Sequence, residues 1–161
     1  MQNIDLICVG KLNAAYFAAG VAEYQKRLAA FCNFRILELP EVQIADKNAG
    51  EAQINKALEK EGTEILKSLR KGVFLVALCV EGKQVSSEEL AALIAQRAGS
   101  GAGDMAFVIG SSRGLSAGVK QAAGAKLSLG RITLPHQLAR LVLAEQLYRA
   151  CTINAGMKYH K

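Results

Sequence analysis

The sequence predicts an α/β domain built on a parallel β-sheet, and three observations carry that prediction. Short apolar runs alternate with stretches of helical periodicity along the whole chain. The run Val73 to Val80 is apolar throughout, as expected of a central strand covered on both faces. Five strand-like runs are each followed by a helix or a turn, which right-handed crossovers fold into a parallel sheet.

The elements follow in order. Ile4 to Val9 reads as a strand, and Phe17, Val21, Tyr24, Leu28 and Phe31 then step by four and three along one face of an amphipathic helix. Phe34 to Leu39 reads as a second strand stopped by Pro40. A polar loop leads into a helix carrying Ile54, Leu58, Ile65, Leu66 and Leu69, with Glu51, Lys56, Glu59, Lys60 and Glu61 expected on its solvated face. After the central run, Ser86 and Glu89 have capping-box spacing at the start of another helix. A glycine-rich loop, Gly99 to Gly103, precedes a buried strand from Met105 to Ile109. The segment Gly110 to Ser116 opens a small-residue helix reaching about Ala125, a strand is expected near Leu127 to Leu134, and a long helix closes the chain.

A chain of 161 residues, 51% hydrophobic and 21% charged, with two prolines and no repetitive tract, fits a single domain spanning residues 1–161. Twenty Lys and Arg against 14 Asp and Glu give a net charge of +6, which favours an anionic partner such as nucleic acid. Cys8, Cys32, Cys79 and Cys151 are scattered without a C-x-x-C pair, which suggests a reducing compartment and argues against zinc. No run has the length of a membrane span and the N-terminus lacks a signal-peptide pattern, so a soluble cytoplasmic protein without a metal is expected.

Ligands of open parallel sheets bind beyond the carboxyl ends of the strands, which directs attention to the loops after Val80, Ile109 and Leu134. Gly110-Ser111-Ser112-Arg113-Gly114 satisfies the G-x-S-x-G pattern of a hydrolase elbow, and the order Ser112, Glu145, His160 is formally a triad. No oxyanion loop of the His-Gly-Gly type accompanies it. The same two glycines equally allow close approach of backbone to a ligand. A dinucleotide fold is disfavoured, because Val9-Gly10-Lys11-Leu12 offers one glycine where G-x-G-x-x-G needs three. In the last helix Pro135 sets the entry, His136 and Arg140 lie four apart on one face, and Glu145 and Arg149 have the spacing of an ion pair.

Taken together, FVIGSSRGLS (Phe107 to Ser116), LSLGRITLPHQLARLVLAEQLYRA (Leu127 to Ala150) and the terminal YHK resemble the SPOUT-class RNA methyltransferases. Within that class they resemble the ribosomal large subunit methyltransferase H family. ICVGKL near the start, Glu23-Tyr24 with Lys26-Arg27-Leu28, and Glu59-Lys60-Glu61-Gly62 extend the likeness over nearly the whole chain. The resemblance implies a SPOUT fold with a C-terminal deep trefoil knot, a homodimer, and S-adenosyl-L-methionine as cofactor. It implies methylation of N3 of a pseudouridine in 23S rRNA, in an assembled ribosome or subunit. It places cofactor contacts at Leu78, Gly110, Leu129, Gly130, Arg131, Ile132, Thr133 and Leu134, and the reacting site at His136, Arg140, Tyr159 and His160. On this reading His160, with Tyr159, positions or deprotonates the base and Arg140 holds phosphate or carbonyl oxygens of the RNA, while Arg149 helps build the site. The last helix forms much of the dimer interface, and the tail reaches the cofactor of the other subunit. Ser111 stands where the family usually has a second glycine and Arg113 where an acidic or amide residue is common. A small serine hydrolase using Ser112 and a non-catalytic ribosome-binding protein remain the competing readings.

Overall fold

The computed structural model describes all 161 residues. Five strands, β1 (Asn3–Val9), β2 (Asn33–Leu39), β3 (Phe74–Gln84), β4 (Met105–Ile109) and β5 (Ala125–Ser128), form one sheet in the order β2-β1-β4-β3-β5, and every pairing is parallel. Five helices, α1 (Ala15–Leu28), α2 (Glu51–Ser68), α3 (Ser87–Ala98), α4 (Ala117–Ala122) and α5 (His136–Asn154), cover its two faces.

The period-two alternation of the strands divides the core into two layers. Ile4, Leu6 and Cys8 of β1 join Met105, Phe107 and Ile109 of β4 under Leu28, Leu90, Ile94, Leu143 and Leu147, which come from α1, α3 and α5. Ile7 and Val9 join Ala106 and Val108 under Ile65 of α2 and Val119 of α4. β1 and β4 are buried along nearly their whole length because they lie in the middle of the sheet, which is why they read as continuous apolar runs.

Several boundaries differ from the sequence reading, each for a local reason. Helix α1 stops at Leu28, so Phe31 lies in the turn beyond it, where Phe31 N–H and Cys32 N–H both bond to the Leu28 carbonyl. Strand β3 runs on to Gln84. Leu78 and Lys83 both stand opposite Leu127, so residues 79–82 bulge out of the ladder. Gly82 makes that bulge feasible: a Cβ there would lie 2.6 Å from the Leu127 carbonyl carbon. The small-residue helix spans only Ala117–Ala122. The strand expected to reach Leu134 ends at Ser128, whose hydroxyl accepts from Gly130 N–H at 3.2 Å and donates to the Gly130 carbonyl at 3.1 Å, with Gly130 at φ +123°. Glu61, expected in solvent, is 4% exposed. By contrast, the expected capping box at Ser86 and Glu89 is present with both hydrogen bonds.

One charge sits at the centre of the sheet. Asp5 of β1 is fully buried, and Arg35 of β2 and Arg70 after α2 grip its two oxygens, Arg35 at 3.1 and 2.7 Å and Arg70 at 3.1 and 3.4 Å. Burial pushes the carboxyl group up, but the hydrogen bonds and charges of the two guanidinium groups outweigh it and hold the pKa below its ordinary 3.8. The stabilisation is therefore complete above the ordinary value and fades as pH falls through the lower folded value. Asp5→Asn is expected to lower unfolding free energy by about 2–3 kcal/mol at pH 7, the range for hydrogen bonds to a charged group. In urea titrations the gap between the two proteins should shrink as pH falls below 4.

Candidate functional site

The chain leaves the sheet at its β5 edge and re-enters the fold beside β1, so the segment between Leu129 and Pro135 crosses the carboxyl ends of β3 and β4. Arg140 anchors the far side of that crossing. Its side chain is 2% exposed, with Nη1 on Glu38 Oε2 at 2.6 Å and Nη2 on the Gly10 carbonyl at 3.0 Å. Gln137 adds an acceptor for the backbone N–H groups of Asn13, at 2.8 Å, and Ala14. In this chain the Arg140 guanidinium is buried and committed to Glu38 and Gly10, where it positions the start of α5. Its Nε has no partner.

Under the crossing lies a cavity of about 300 Å³. Leu78, just before the β3 bulge, and Gly110, just past β4, line it together with Leu129, Gly130, Ile132, Thr133 and Leu134. Seven of the eight residues expected at a cofactor are thus brought together; Arg131 is exposed and does not line the cavity. His136 lines the same space, near Glu41: a Cβ on Gly10 would lie 3.9 Å from both His136 Nε2 and Glu41 Oε2. Cys79, Val80, Glu81, Leu115 and Lys120 complete walls that the sequence reading did not assign, and Lys120 Nζ pairs with Glu81 Oε1 at 2.6 Å. The Lys120 hydrogen bond is the main reason the Glu81 pKa lies below the ordinary carboxylate value.

The turn Gly110–Gly114 is shaped for close approach. A Cβ on Gly110 would sit 2.2 Å from the Gly114 carbonyl oxygen, and Gly114, at φ +93°, closes the turn by donating its N–H to the Ser111 carbonyl at 2.9 Å. No residue other than glycine has a positive φ, so Ser111 occupies its position without backbone strain. Its hydroxyl donates to Glu61 Oε1 at 3.0 Å. Arg113 donates to the Val42 carbonyl at 3.3 Å.

The apolar walls, the exposed main chain of the crossing and the engagement of both lining cations, Lys120 by Glu81 and Arg113 by the Val42 carbonyl and Glu41, suit an uncharged ring system and a small cationic group better than a phosphate. No set of three or more His, Cys, Asp or Glu side chains is arranged to hold a metal ion.

The other expected residues gather elsewhere. Arg149 bonds Glu145 through Nε at 2.9 Å, confirming the i,i+4 pair, and its guanidinium lies 4.7 Å from the centre of the Tyr159 ring. Tyr159 donates its hydroxyl to Glu145 at 3.1 Å and packs edge-on against Tyr148. Burial first, then hydrogen bonds with Tyr24 and Glu145, push the Tyr159 phenol up to about 12. His160 lies between Arg149 Nη1, 3.2 Å from Nδ1, and Glu88 Oε1, 2.7 Å from Nε2. Arginine can only donate, so Nδ1 accepts and the ring proton sits on Nε2, donated to Glu88. The tail is therefore ordered against α5. Arg149 follows His136 by thirteen helical steps, roughly 20 Å along the axis at 1.5 Å per residue. One chain does not bring His136 and His160 into a common site.

The hydrolase reading fails on geometry. Ser112 Oγ points to Glu41 at 3.4 Å rather than to a histidine, and Glu145 is engaged by Arg149, Gln146 and Tyr159 at the far end of α5. Sequence reasoning missed Glu38, Glu41, Glu61, Gly82 and Glu88. Only Gly82 carried a usable signal, a lone glycine after an apolar strand, which marks a bulge or a close approach. The acids are recognisable as site residues only once the loops that bring them together are known.

Comparison with known proteins agrees with this architecture. A family model described as "Predicted SPOUT methyltransferase" matches residues 2–160. Proteins named ribosomal RNA large subunit methyltransferase H from Limosilactobacillus reuteri and from Streptococcus equi subsp. zooepidemicus are each 48% identical over 160 residues, 99% of this chain and the full length of each relative. Among solved structures, a probable methyltransferase from Bordetella pertussis aligns with TM-score 0.54 at 16% identity, over 93% of this chain and 95% of that one. A probable methylase family protein from Haemophilus influenzae aligns with TM-score 0.50 at 14% identity, over 99% of this chain and 70% of that one. With an α/β sheet, a cavity under its C-terminal crossing and a family match over nearly every residue, the chain belongs to the SPOUT methyltransferase family.

Proposed function

We propose that this chain is an S-adenosylmethionine-dependent methyltransferase of large-subunit rRNA. It acts as a cytoplasmic homodimer on N3 of a pseudouridine in 23S rRNA within an assembled ribosome or subunit. The observation that carries the reading is the cavity under the 129–134 crossing, where the residues that resemblance assigns to the cofactor converge. The full-length relatives, named for ribosomal RNA methylation, support the substrate class. The net charge of +6, doubled in a dimer, suits a polyanion.

S-adenosylmethionine, when bound, supplies an electrophilic methyl group on a sulfonium. Leu78, Leu129, Ile132 and Leu134 offer its adenine apolar walls, and the main chain around Gly110, Gly130 and Thr133 offers hydrogen-bonding groups. The crossing that encloses these residues is consistent with a chain threaded into a trefoil knot.

Tyr159 and His160 stand too far along α5 to serve the cavity of their own chain, so in this reading they serve the cavity of a second copy. N3 of the imide must lose its proton for transfer. His160 holds and orients the base through this network, and its Nδ1 takes the N3 proton once the Arg149 contact is released, leaving an imidazolium beside Glu88. Arg149 supplies the positive charge that favours the developing anion.

Calorimetric titration with S-adenosylmethionine is the first test: one saturable site per chain is expected, and Gly130→Val, which forces a branched side chain onto φ +123°, should abolish it. A folded protein that binds neither the cofactor nor its demethylated product would overturn the reading. His160→Ala is expected to lower methyl transfer to ribosomes by about 10²-fold or more while leaving cofactor affinity within about twofold. Undiminished transfer would remove His160 from the site.

A further inference from the structure

The turn that forms one wall of the cavity is held from behind by a residue of another element. Glu61 of α2 is 4% exposed, faces no cation within ion-pairing distance, and uses both oxygens: Oε1 accepts the Ser111 hydroxyl at 3.0 Å and Oε2 accepts the Val42 N–H at 2.9 Å. A buried carboxyl group is costly to keep unless its hydrogen bonds do something an apolar residue could not. Here they join two loops that no β-ladder or helix connects, the 40–42 segment after β2 and the 110–114 turn after β4.

The packing around Glu61 fixes it in place. Its neighbour Gly62 brings α2 so close to the 110–116 segment that a Cβ would meet Ser116 Oγ at 2.3 Å. Ser116 in turn caps α4 by accepting from Val119 N–H at 3.2 Å. Arg113 reaches from the same turn to the Val42 carbonyl, closing a ring of contacts through Val42, Glu61 and Ser111.

We infer that Glu61 is a positioning residue for the cofactor wall. Acting through Ser111, it holds the Gly110–Gly114 turn in the shape that leaves the Gly110 and Ser111 main chain facing the cavity. This rests on the reading of that cavity as the cofactor site. A glutamine can keep both contacts, because its carbonyl accepts from Val42 N–H and its amide donates to the Ser111 oxygen, whose hydroxyl proton is free to turn away. Alanine keeps neither.

The test combines two readouts on the full-length protein. Amide hydrogen exchange at Gly114, whose N–H closes the turn, reads the turn without any ligand. Titration with S-adenosylmethionine reads the wall. Glu61→Ala and Ser111→Ala are each expected to speed Gly114 exchange and to raise the cofactor dissociation constant about tenfold, the effect of losing one buried polar contact to a charged group. The double variant should be no worse than the more severe single one, and Glu61→Gln should stay within about threefold of the unsubstituted protein. Ser111→Ala removes one oxygen and keeps the test open if Glu61→Ala does not fold. Unchanged Gly114 exchange in both variants, or unchanged affinity despite faster exchange, would overturn the inference. A natural sequence that fails to bind the cofactor at all would instead overturn the proposed function, and Gly114 exchange would still show whether Glu61 holds the turn.

Discussion

The anchoring of α5 by a buried arginine governs the carboxyl edge of this molecule. Arg140 brings a cation into the interior, where it is stable because Glu38 and the Gly10 carbonyl accept from it. Those two acceptors sit on β2 and just past β1, while β5 lies at the opposite edge of the sheet. The arginine therefore pins the start of α5 three strands away from the strand that precedes it. The residues between must span the ends of β3 and β4, and the space beneath that span is the cavity. Leu143, Ala144 and Leu147 continue the anchoring by burying the next turns of α5 on the sheet.

Buried acidic side chains held by hydrogen bonds recur at Asp5 and Glu61, in different settings. Asp5 ties β1 to β2 and to the end of α2 through two arginines, which is a matter of assembling the sheet. Glu61 ties two loops by accepting from a hydroxyl and a backbone N–H, which is a matter of shaping its surface. Each lies at a junction where chain segments distant in sequence meet. Apolar packing alone fixes such junctions less sharply than directional hydrogen bonds do.

Much of the fold was legible because burial leaves a period. The run Val73 to Val80 announced a strand covered on both faces, which holds over Leu75 to Ala77 but not at the exposed Val80, and Ser86 with Glu89 announced the start of α3. The end of β5 was not legible. Leu127 to Leu134 is apolar enough for a strand, and only the Ser128 to Gly130 turn, stabilised by a side chain bonding its own backbone, redirects it. Glu61 was misjudged because a charged residue on an amphipathic helix is exposed by default, and its burial depends on loops some 20 and 50 residues away in sequence. For the site, the residues around the 129–134 crossing were identified by resemblance and were found to surround one cavity. The burial of Arg140 was not legible, since spacing reveals that it shares a face with His136 and not whether that face meets a ligand or the core.

In the proposed function two copies complete one site, the cavity of one chain meeting Tyr159 and His160 of the other. Co-producing a Gly130→Val chain with a His160→Ala chain tests it, because each chain alone lacks one half. If the halves meet across the dimer, about half of randomly paired dimers are mixed and each carries one intact site, so methyl transfer should recover to about a quarter of the unsubstituted level. Activity no higher than that of either variant alone would contradict the account.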